Sequence, residues 1–501
     1  MAPSEGHVRA VAQRMVDLGL VKLGYTYLNL DDGIVEVERD ANGDLIPDRK
    51  GFPNGFSALA ADLGALGLKF GVYTDRGTQT CGGRAGAFGH EAQDAAFYAR
   101  NGILYLKEDS CNASQDHQTA FAEYAAMRDG LNATGVPIFF SLCSWEAWYA
   151  PVGHALGNSW RTGPDDINWH GVLGNVDILA SLYTYGGPGG FNDPCLLLGR
   201  DHSGSEAVTD VQGRAQFSFW AVVAAPMLLS QDIFNWTAMQ VETYTNAEVI
   251  AVGQDVLGRP GQRLLGGPLS PGGDGNTPLT VAACVPGASD QTWAFNTTGP
   301  LFIVNKANAQ CINSDDCGTP LITFPCVPPP GPTCAGNNVQ NEQFSFAADG
   351  TMRSAMAGAP QCVTSQGVGA QAQLAPCSGA PGAAGQAWAP GPGGSITDGA
   401  GRCLSAGGGG PAGAQANVWG RPLASGAWAV LYVNAGAAAV DLACDAACLA
   451  PTGWEPEQKL AVRDLWAHAD LGNTTAGAGW PVPGLAGDGG AAMFTFTPIF
   501  G

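Results

Sequence analysis

The chain has 501 residues, with 44 acidic against 23 basic side chains and a formal net charge of −21. This length allows several domains. The excess of negative charge repels phosphate backbones, which argues against nucleic acid as a partner. No apolar run reaches the roughly 18 residues that a membrane-spanning helix requires, so no membrane span is expected.

The first half of the chain repeats one pattern, in which an amphipathic helical stretch leads into a short apolar strand with a polar end. In the first repeat, a helical stripe over 8–18 precedes a strand over 25–30, which ends at Asp31-Asp32. The later strands and strand ends lie at 68–75, 104–111, 137–145, 158–167 and 187–198. Such units predict a parallel α/β barrel with its active site at the carboxyl ends of the strands.

The segment Leu104–Cys111 is the most informative of these strands. Because side chains alternate along a strand, Lys107, Asp109 and Cys111 are predicted to lie on one face at its end. Taken alone, the Lys and the Asp are better explained by a salt bridge at a strand end. The recurrence of polar strand ends along the chain favours an active site.

The segment from about 280 to 410 contains a weak three-fold repeat. Three aromatic residues, 51 and 44 residues apart, each follow a Gln- or Glu-containing pair: Trp293, Phe344 and Trp388. Each repeat also holds a cysteine before an apolar residue, at Cys311, Cys362 and Cys403. A disordered linker rich in Gly, Pro and Ala is the alternative, but the spaced aromatic residues and cysteines favour repeated strands.

The cysteines of this repeat predict a closed arrangement. The first two have a second cysteine fifteen residues on, which predicts the pairs Cys311–Cys326 and Cys362–Cys377. The third has none downstream, whereas Cys284 stands before the first aromatic residue. A closed three-fold arrangement therefore pairs Cys284 with Cys403, and the segment over 280–410 resembles a ricin-type β-trefoil.

Six segments of the first half carry a second resemblance: Tyr25–Asp32, Lys69–Cys81, Gly89–Asp94, Leu104–Cys111, Gly157–Ile167 and Gly186–Pro194. Together they resemble glycoside hydrolase family 27, the α-galactosidases and α-N-acetylgalactosaminidases. The resemblance covers about 7–262 and resumes at about 416–501.

This resemblance implies a multidomain fold with α/β and all-β parts. The expected parts are a (β/α)8 TIM barrel over 1–257 and an antiparallel β-sandwich over 258–279 and 411–501. The trefoil over 280–410 is expected as an insertion into that sandwich. The resemblance begins after the family's first barrel strand, so we expect the barrel to lack that strand.

The family hydrolyses glycosides with retention, which requires a carboxylate nucleophile and an acid/base carboxyl roughly 5–5.5 Å apart. By resemblance Asp109 is the nucleophile, and Lys107 beside it keeps the carboxylate ionised and binds the sugar. Asp166, directly before Ile167, matches the acid/base position. Its spacing from Arg161 is one residue longer than is usual in the family, so Asp165 is the alternative.

The resemblance also implies the sugar contacts. Asp31 and Asp32 match the pair that binds the galactose 4- and 6-hydroxyls. Tyr73 and Trp145 are expected to cover apolar faces of the sugar, and Arg161 to donate charge-assisted hydrogen bonds. The remaining positions expected near the sugar are Ser144, Ala147 and Cys195. Cys195 replaces a carboxylate that is usual in the family.

Further cysteine pairs follow from the same resemblance. Cys81–Cys111 and Cys444–Cys448 match family disulfides, and Cys317–Cys334 is the remaining pair expected in the trefoil. Cys143 and Cys195 are expected either as free thiols or as a mutual bridge.

The fourteen cysteines and five Asn-x-Ser/Thr sequons indicate an oxidising secretory route. The expected location is outside the cell, in the cell wall, or in a vacuole or lysosome, although no signal peptide is visible at Met1.

The expected activity is removal of terminal α-linked galactose from oligosaccharides or glycoconjugates, with no metal or organic cofactor. An α-N-acetylgalactosaminidase is the first alternative, since members of that specificity carry a Ser and an Ala where this chain has Ser144 and Ala147. The second alternative is a catalytically impaired carbohydrate-binding protein with a lectin-type trefoil. A pure binder has no need for both catalytic carboxylates, which argues against it.

Overall fold

The computed structural model describes the chain over residues 3–500, apart from several internal segments. Not described are residues 1–2, 115, 202, 268, 270–276, 296–301, 307–309, 315–320, 325–332, 335–336, 339–341, 357–359, 366, 369–370, 379–384, 407–414 and 501, and the side chains at 117, 277–278, 289, 333–334 and 337–338. Within the described residues, no helix is both long enough and apolar enough to cross a membrane.

A six-stranded parallel sheet forms the N-terminal part of the protein. Its strands, in spatial order, are β1 (Tyr27–Asn29), β2 (Lys69–Asp75), β3 (Ile103–Asp109), β4 (Phe139–Leu142), β5 (Ser159–Arg161) and β6 (Phe191–Asp193). The spatial order follows the chain order, as in a barrel built from successive helix crossovers. A parallel bridge between Leu197 and Leu229 continues the pairing after β6. The prediction of a TIM-like α/β architecture is confirmed.

Helices connect these strands and cover the sheet. They are α1 (Glu5–Asp17), α2 (Gly55–Ala65), α3 (Glu91–Arg100), α4 (His117–Ala133), α5 (Gly153–Leu156), α6 (Trp169–Leu179), α7 (Asp210–Val222), α8 (Ala238–Tyr244) and α9 (Ala247–Gly253). Each longer helix buries an apolar stripe: in α2, Phe56, Leu59 and Leu63 are fully buried. Burial of one such side chain stabilises the fold by about 1.5–3 kcal/mol.

A β-bulge determines which side chains of β2 and β3 face each other. Phe70 pairs with Ile103, but Gly71 pairs with Tyr105, so Leu104 is the extra residue. Position 71, next to this bulge, requires glycine, because a Cβ on Gly71 would lie 2.0 Å from the Oδ1 atom of Asn29 in β1.

Beyond the bulge, Tyr73 faces Lys107 and Asp75 faces Asp109. The strand predicted over 104–111 ends at Asp109. The N–H of Cys111 donates to Asp75 Oδ2 at 2.8 Å, so the chain leaves the sheet there. The carboxyl end of β3 is therefore fixed by a side chain of β2.

The strand β7 (Gln262–Leu265) precedes a segment of short antiparallel strands. These are β8 (Thr277–Pro278), β9 (Thr280–Ala282), β10 (Trp293–Phe295), β11 (Ile303–Asn305), β12 (Cys311–Ser314), β13 (Leu321–Phe324), β14 (Thr333–Cys334), β15 (Asn337–Asn338), β16 (Phe344–Phe346), β17 (Met352–Ser354), β18 (Gln361–Thr364), β19 (Gln373–Pro376), β20 (Trp388–Pro390), β21 (Ile396–Asp398) and β22 (Cys403–Ser405).

Three similar units make up this segment, as the repeat predicts. They are β10–β13, β16–β19 and β20–β22, and the third is completed by β9 from the start of the segment. Cys403 lies opposite Ala282 in that pairing. The aromatic residues of the repeat, Trp293, Phe344 and Trp388, are buried together in the core of the segment.

A second antiparallel region closes the chain. It contains β23 (Ala416–Pro422), β24 (Trp428–Asn434), β25 (Val440–Cys444), α10 (Ala446–Leu449), β26 (Lys459–Asp464), β27 (Ala469–Thr475), β28 (Trp480–Leu485) and β29 (Gly490–Pro498). Six strands form one sheet in the order β27-β26-β29-β24-β23-β7, while β25 pairs with β28. Because β7 pairs with β23, the three-unit segment is an insertion between two neighbouring strands of one sheet.

Among cysteines that the structure describes on both sides, the pairs are Cys81–Cys111, Cys284–Cys403, Cys362–Cys377 and Cys444–Cys448. Cys143 and Cys195 are free and buried, so of the two alternatives for this pair the structure has thiols. The expected pairs Cys311–Cys326 and Cys317–Cys334 lie outside the described residues, since Cys317, Cys326 and the side chain of Cys334 are not described.

A buried ion pair joins the barrel to the sandwich. Asp177 of α6 lies 3.1 Å from the Nη1 atom of Arg263 in β7, and its side chain is fully buried. Its Oδ2 atom also accepts the N–H of Leu269 at 2.8 Å. Loss of the carboxylate would leave a buried guanidinium and a buried N–H without this acceptor.

We expect Asp177→Ala to lower the free energy of unfolding by about 3–5 kcal/mol, measured by urea denaturation, because it strips the partner from a buried charge. Arg49→Ala is the matched control: it breaks the exposed pair between Arg49 and Glu36 and should cost less than about 1 kcal/mol. Equal losses in the two variants would contradict the importance of burial.

Candidate active site

The polar strand ends of β1, β2 and β3 meet at one edge of the parallel sheet. Asp31 and Asp32 follow the end of β1 after one intervening residue, and Tyr73 lies in β2. Lys107 and Asp109 lie on the same face of β3, two residues apart. The neighbouring strands thus bring together side chains that are far apart in the sequence.

Asp109 accepts hydrogen bonds from two neutral donors. The Tyr73 hydroxyl donates to Oδ2 at 3.0 Å, and the N–H of Ser110 donates to Oδ1 at 2.8 Å. Burial raises the pKa of Tyr73, and the charge of Asp109 adds to the effect, so the hydroxyl keeps its proton. The Cys81–Cys111 disulfide closes the loops beside this carboxylate.

Lys107 lies on the face of β3 that carries Asp109 and forms an ion pair with Asp31. Its Nζ atom lies 2.7 Å from Asp31 Oδ2 and 5.1 Å from the centre of the Tyr73 ring. Burial would lower the pKa of Lys107, but the acidic groups of Cys143, Asp31 and Asp109 outweigh burial and raise it. The ammonium therefore stays charged between the ends of β1 and β3.

Asp32 is held by backbone donors. Its Oδ2 atom accepts the N–H of Gly82 and its Oδ1 atom accepts the N–H of Gly33, both at 2.6 Å. This carboxylate therefore ties the end of β1 to the loop after β2.

The two neighbouring carboxylates after β5 have different surroundings. Asp165 pairs with Arg161 Nη1 at 3.0 Å, and its side chain is 53% exposed. Asp166 is 4% exposed and accepts from Gln216 Nε2 of α7 at 3.1 Å. Burial raises the pKa of Asp166 to about 7, although Cys195 and Arg161 act to lower it.

A cavity of about 240 Å³ adjoins Asp109 on the side of β4. Its lining includes Ser144 and Trp145, and the Trp145 backbone has a φ of 64°, a left-handed conformation that costs energy in a bulky residue. The Ser144 hydroxyl donates to the carbonyl oxygen of Arg161 at 2.8 Å. Ala147 is buried in the short helical turn that follows.

The thiol of Cys143 lies among charged groups from several strands. It lines the cavity next to Asp109, and Arg161 Nη1 donates to its sulfur at 3.9 Å. Burial raises the pKa of Cys143 to about 12, while Lys107 and Arg161 lower it and Asp109 and Asp165 raise it. The thiol therefore lies between Arg161, which contacts it, and Asp109, which lines the same cavity.

Cys195 lies deeper. Its N–H donates to Asp193 Oδ1 at 3.0 Å, its carbonyl oxygen accepts from Trp220 Nε1 at 2.9 Å, and burial raises the pKa of its thiol.

The described residues contain one compact group of acidic and sulfur atoms. The side-chain donor atoms of Asp75, Cys81, Asp109 and Cys111 lie within 4.8 Å of one another. Because the two cysteines form a disulfide, their sulfurs are not thiolate ligands for a metal. What remains is a close pair of carboxylates, Asp75 and Asp109.

Sequence reasoning missed two residues of this region. Asp75 is placed by the sequence pattern at the end of its strand, on the face of Tyr73, but no role in the site is predicted for it. Gln216 lies in α7, fifty residues after Asp166 in the chain, and no local pattern connects the two.

Three parts of the chain match described protein families. Residues 2–255 match alpha galactosidase A, and residues 413–483 match the alpha galactosidase C-terminal beta sandwich domain. Residues 302–425 match the ricin-type beta-trefoil lectin domain.

Curated relatives agree with the first match. An alpha-galactosidase of Cyamopsis tetragonoloba is 42% identical over 52% of this chain and 63% of its own length. One of Coffea arabica is also 42% identical, over 51% of this chain and 67% of its own length. The chain spans less than two thirds of the length of the first of these relatives.

The crystal structure of alpha-galactosidase I from Mortierella vinacea superimposes with a TM-score of 0.64 at 21% identity, covering 99% of this chain and 93% of the other. This likeness shows the fold. The match over residues 2–255 and the Coffea arabica relative show that the chain belongs to the alpha galactosidase A family.

Proposed function

We propose that this protein hydrolyses terminal α-linked galactose residues of oligosaccharides or glycoconjugates with net retention. The observation that carries the proposal is the placement of two carboxylates beside one cavity: Asp109 lines it together with Cys143, and Arg161, which contacts the Cys143 sulfur, pairs with Asp165. A retaining glycosidase needs one carboxylate to attack the anomeric carbon and a second carboxyl group to protonate the leaving oxygen. The alpha-galactosidase relatives support galactose as the sugar.

Asp109 is the proposed nucleophile. Its carboxylate accepts hydrogen bonds from a hydroxyl and a backbone N–H. Both donors are neutral, so they orient the carboxylate without cancelling its charge. The Lys107–Asp31 pair beside it offers an ammonium and a carboxylate that can bind sugar hydroxyls.

The proposed acid/base residue is Asp165, which differs from the expectation of Asp166. A general acid must reach the leaving oxygen, and the choice of Asp165 rests on exposure: its carboxylate is half exposed, whereas the Asp166 carboxylate is buried and accepts a hydrogen bond from Gln216. Asp166 is proposed to support the loop from below.

The four disulfides support an oxidising compartment as the place of folding.

Azide rescue distinguishes the two roles. In Asp109→Ala, azide should replace the nucleophile and invert the configuration once, which gives a β-galactosyl azide from an activated aryl α-galactoside. In Asp165→Ala, azide should attack the β-linked glycosyl-enzyme and give an α-galactosyl azide. Proton NMR of the products reads the configuration.

Asp166→Ala is the matched control, and it should give no azide product. An α-azide from that variant, and none from Asp165→Ala, would return the acid/base role to Asp166. Wild-type protein without activity on p-nitrophenyl α-galactoside would contradict the proposed function as a whole.

Burial of Asp166 also predicts a pH-dependent stability. Its pKa is raised from 3.8 to about 7 in the folded protein, so its contribution favours folding at low pH and is lost as the pH rises towards 7. Asp166→Asn has no carboxyl group to ionise and so does not lose this stability. The free energy of unfolding of the variant minus that of the wild type should therefore increase by about 2–4 kcal/mol from pH 4 to pH 7.5, measured by urea denaturation. Asp165→Asn removes a half-exposed carboxylate and should show a smaller change.

A second sugar is favoured by the small side chains beside the cavity. Ser144 lines the cavity with a small side chain, whose hydroxyl donates to a backbone carbonyl instead of pointing freely at a ligand, and Ala147 is buried in the turn that follows. A site with room for an acetamido group discriminates weakly between galactose and N-acetylgalactosamine.

We therefore expect measurable activity on both sugars, compared as kcat/KM for matched p-nitrophenyl α-glycosides. Ser144→Glu should reduce kcat/KM for the acetamido sugar more than for galactose, since it fills the space. A preference of the wild type for galactose above roughly a thousandfold, about 4 kcal/mol, would mean that the pocket excludes the acetamido group.

A further inference from the structure

Asp75 is a buried carboxyl group at the edge of the site. It ends β2, lies opposite Asp109 in the strand register, and is 0% exposed. Carboxylate oxygens of the two residues lie within 4.8 Å of each other. The proposed reaction needs one carboxylate here as nucleophile, so the second requires its own explanation.

The Asp75 carboxylate connects two loops through backbone donors. Its Oδ1 atom accepts the N–H of Gly77 at 2.7 Å, and its Oδ2 atom accepts the N–H of Cys111 at 2.8 Å. Cys111 stands two residues after Asp109 and is covalently joined to Cys81 of the loop that follows β2. The side chain thus fixes the backbone on which the Asp109 carboxylate is carried.

The nearest cation is committed elsewhere. The Arg76 guanidinium binds Glu123, the carbonyl oxygen of Ser114 at 2.7 Å and the Ser110 hydroxyl at 3.1 Å. Asp75 is therefore held by backbone N–H groups, and such bonds to a carboxylate are roughly twice as strong as bonds to a neutral acceptor.

The titratable and charged groups that interact with Asp75 belong to its own strand β2, to the loop after it, and to β3. Tyr73 and Arg76 belong to β2 and the loop after it, while Glu108 and Asp109 belong to β3. Burial raises the pKa of Asp75 to about 7, although the hydrogen bonds from the N–H groups of Gly77 and Cys111 act to lower it. Its charge therefore changes within a range in which the enzyme can be assayed.

We infer that Asp75 is a positioning residue for the nucleophile: its ionised carboxylate holds the Gly77 and Cys111 backbone and so fixes Asp109 for attack. This inference rests on the proposed function of Asp109. Protonation of Asp75 weakens both hydrogen bonds, so turnover should respond to the charge of a residue that does not touch the sugar.

The test compares Asp75→Asn with wild type on p-nitrophenyl α-galactoside between pH 5.5 and 8.5. An Asn side chain offers one acceptor oxygen, and its NH2 group opposes the second backbone donor, so the variant resembles the protonated enzyme. We expect kcat to fall at least tenfold at pH 8.5 with KM changed less than threefold. The ratio of wild-type to variant kcat should rise at least threefold from pH 5.5 to 8.5.

A purely structural role would lower activity without making that ratio depend on pH, so a flat ratio overturns the inference. Glu108→Gln is the matched control: Glu108 is buried in the same strand β3 but on the other face, and burial raises its pKa well above the usual range, so Gln replaces a neutral carboxyl group and the ratio should stay flat.

If Asp75→Asn does not fold, Asp75→Ser allows the same comparison, because its hydroxyl accepts one N–H and leaves room for water. An inactive wild type would contradict the proposed function, whereas an active wild type with a flat ratio contradicts only the role of Asp75.

Discussion

The site depends on the register between β2 and β3. The extra residue Leu104 shifts the pairing by one position, so that Tyr73 meets Lys107 and Asp75 meets Asp109. Without the extra residue, the register would be shifted by one, and Tyr73 and Asp75 would lie opposite Leu106 and Glu108. Because side chains alternate along a strand with a period of two, Lys107 and Asp109 would then be on the other surface of the sheet. The close approach of Gly71 to β1 makes this register possible, since any side chain there would push the strands apart. The side chains that meet at the polar edge of the sheet are thus determined by the packing of Gly71 against β1, near the start of β2.

At that edge, Lys107 and Arg161 each form an ion pair with a carboxylate other than Asp109. Lys107 binds Asp31, and Arg161 binds Asp165. Among the residues that the structure describes, Asp109 is instead held by a hydroxyl and a backbone N–H. A carboxylate oriented by neutral donors keeps its negative charge available for a developing positive charge, while the ion pairs restrict the groups around it.

Strand alternation and polar strand ends were enough to predict the parallel sheet and to place Asp31, Lys107 and Asp109 at one edge of it. The same reasoning could not predict that Lys107 would bind Asp31, because a long flexible side chain chooses its partner from the three-dimensional arrangement. It also could not separate Asp165 from Asp166, since burial distinguishes neighbouring carboxylates and local sequence does not. Cysteine spacing predicted the closing pair Cys284–Cys403, whereas the thiol state of Cys143 and Cys195 depended on strand geometry.

The insertion between β7 and β23 has a consequence for how the chain folds during synthesis. β7 emerges from the ribosome before the whole three-unit segment, but its partner β23 emerges only after it. At about 5–20 residues per second, β7 waits for several seconds with unpaired backbone groups. Closure of Cys284–Cys403, across a sequence separation of 119, brings the two ends of the segment together and shortens the search that β23 must make. The insert thus lengthens the interval during which the first strand of the sandwich lacks its partner β23.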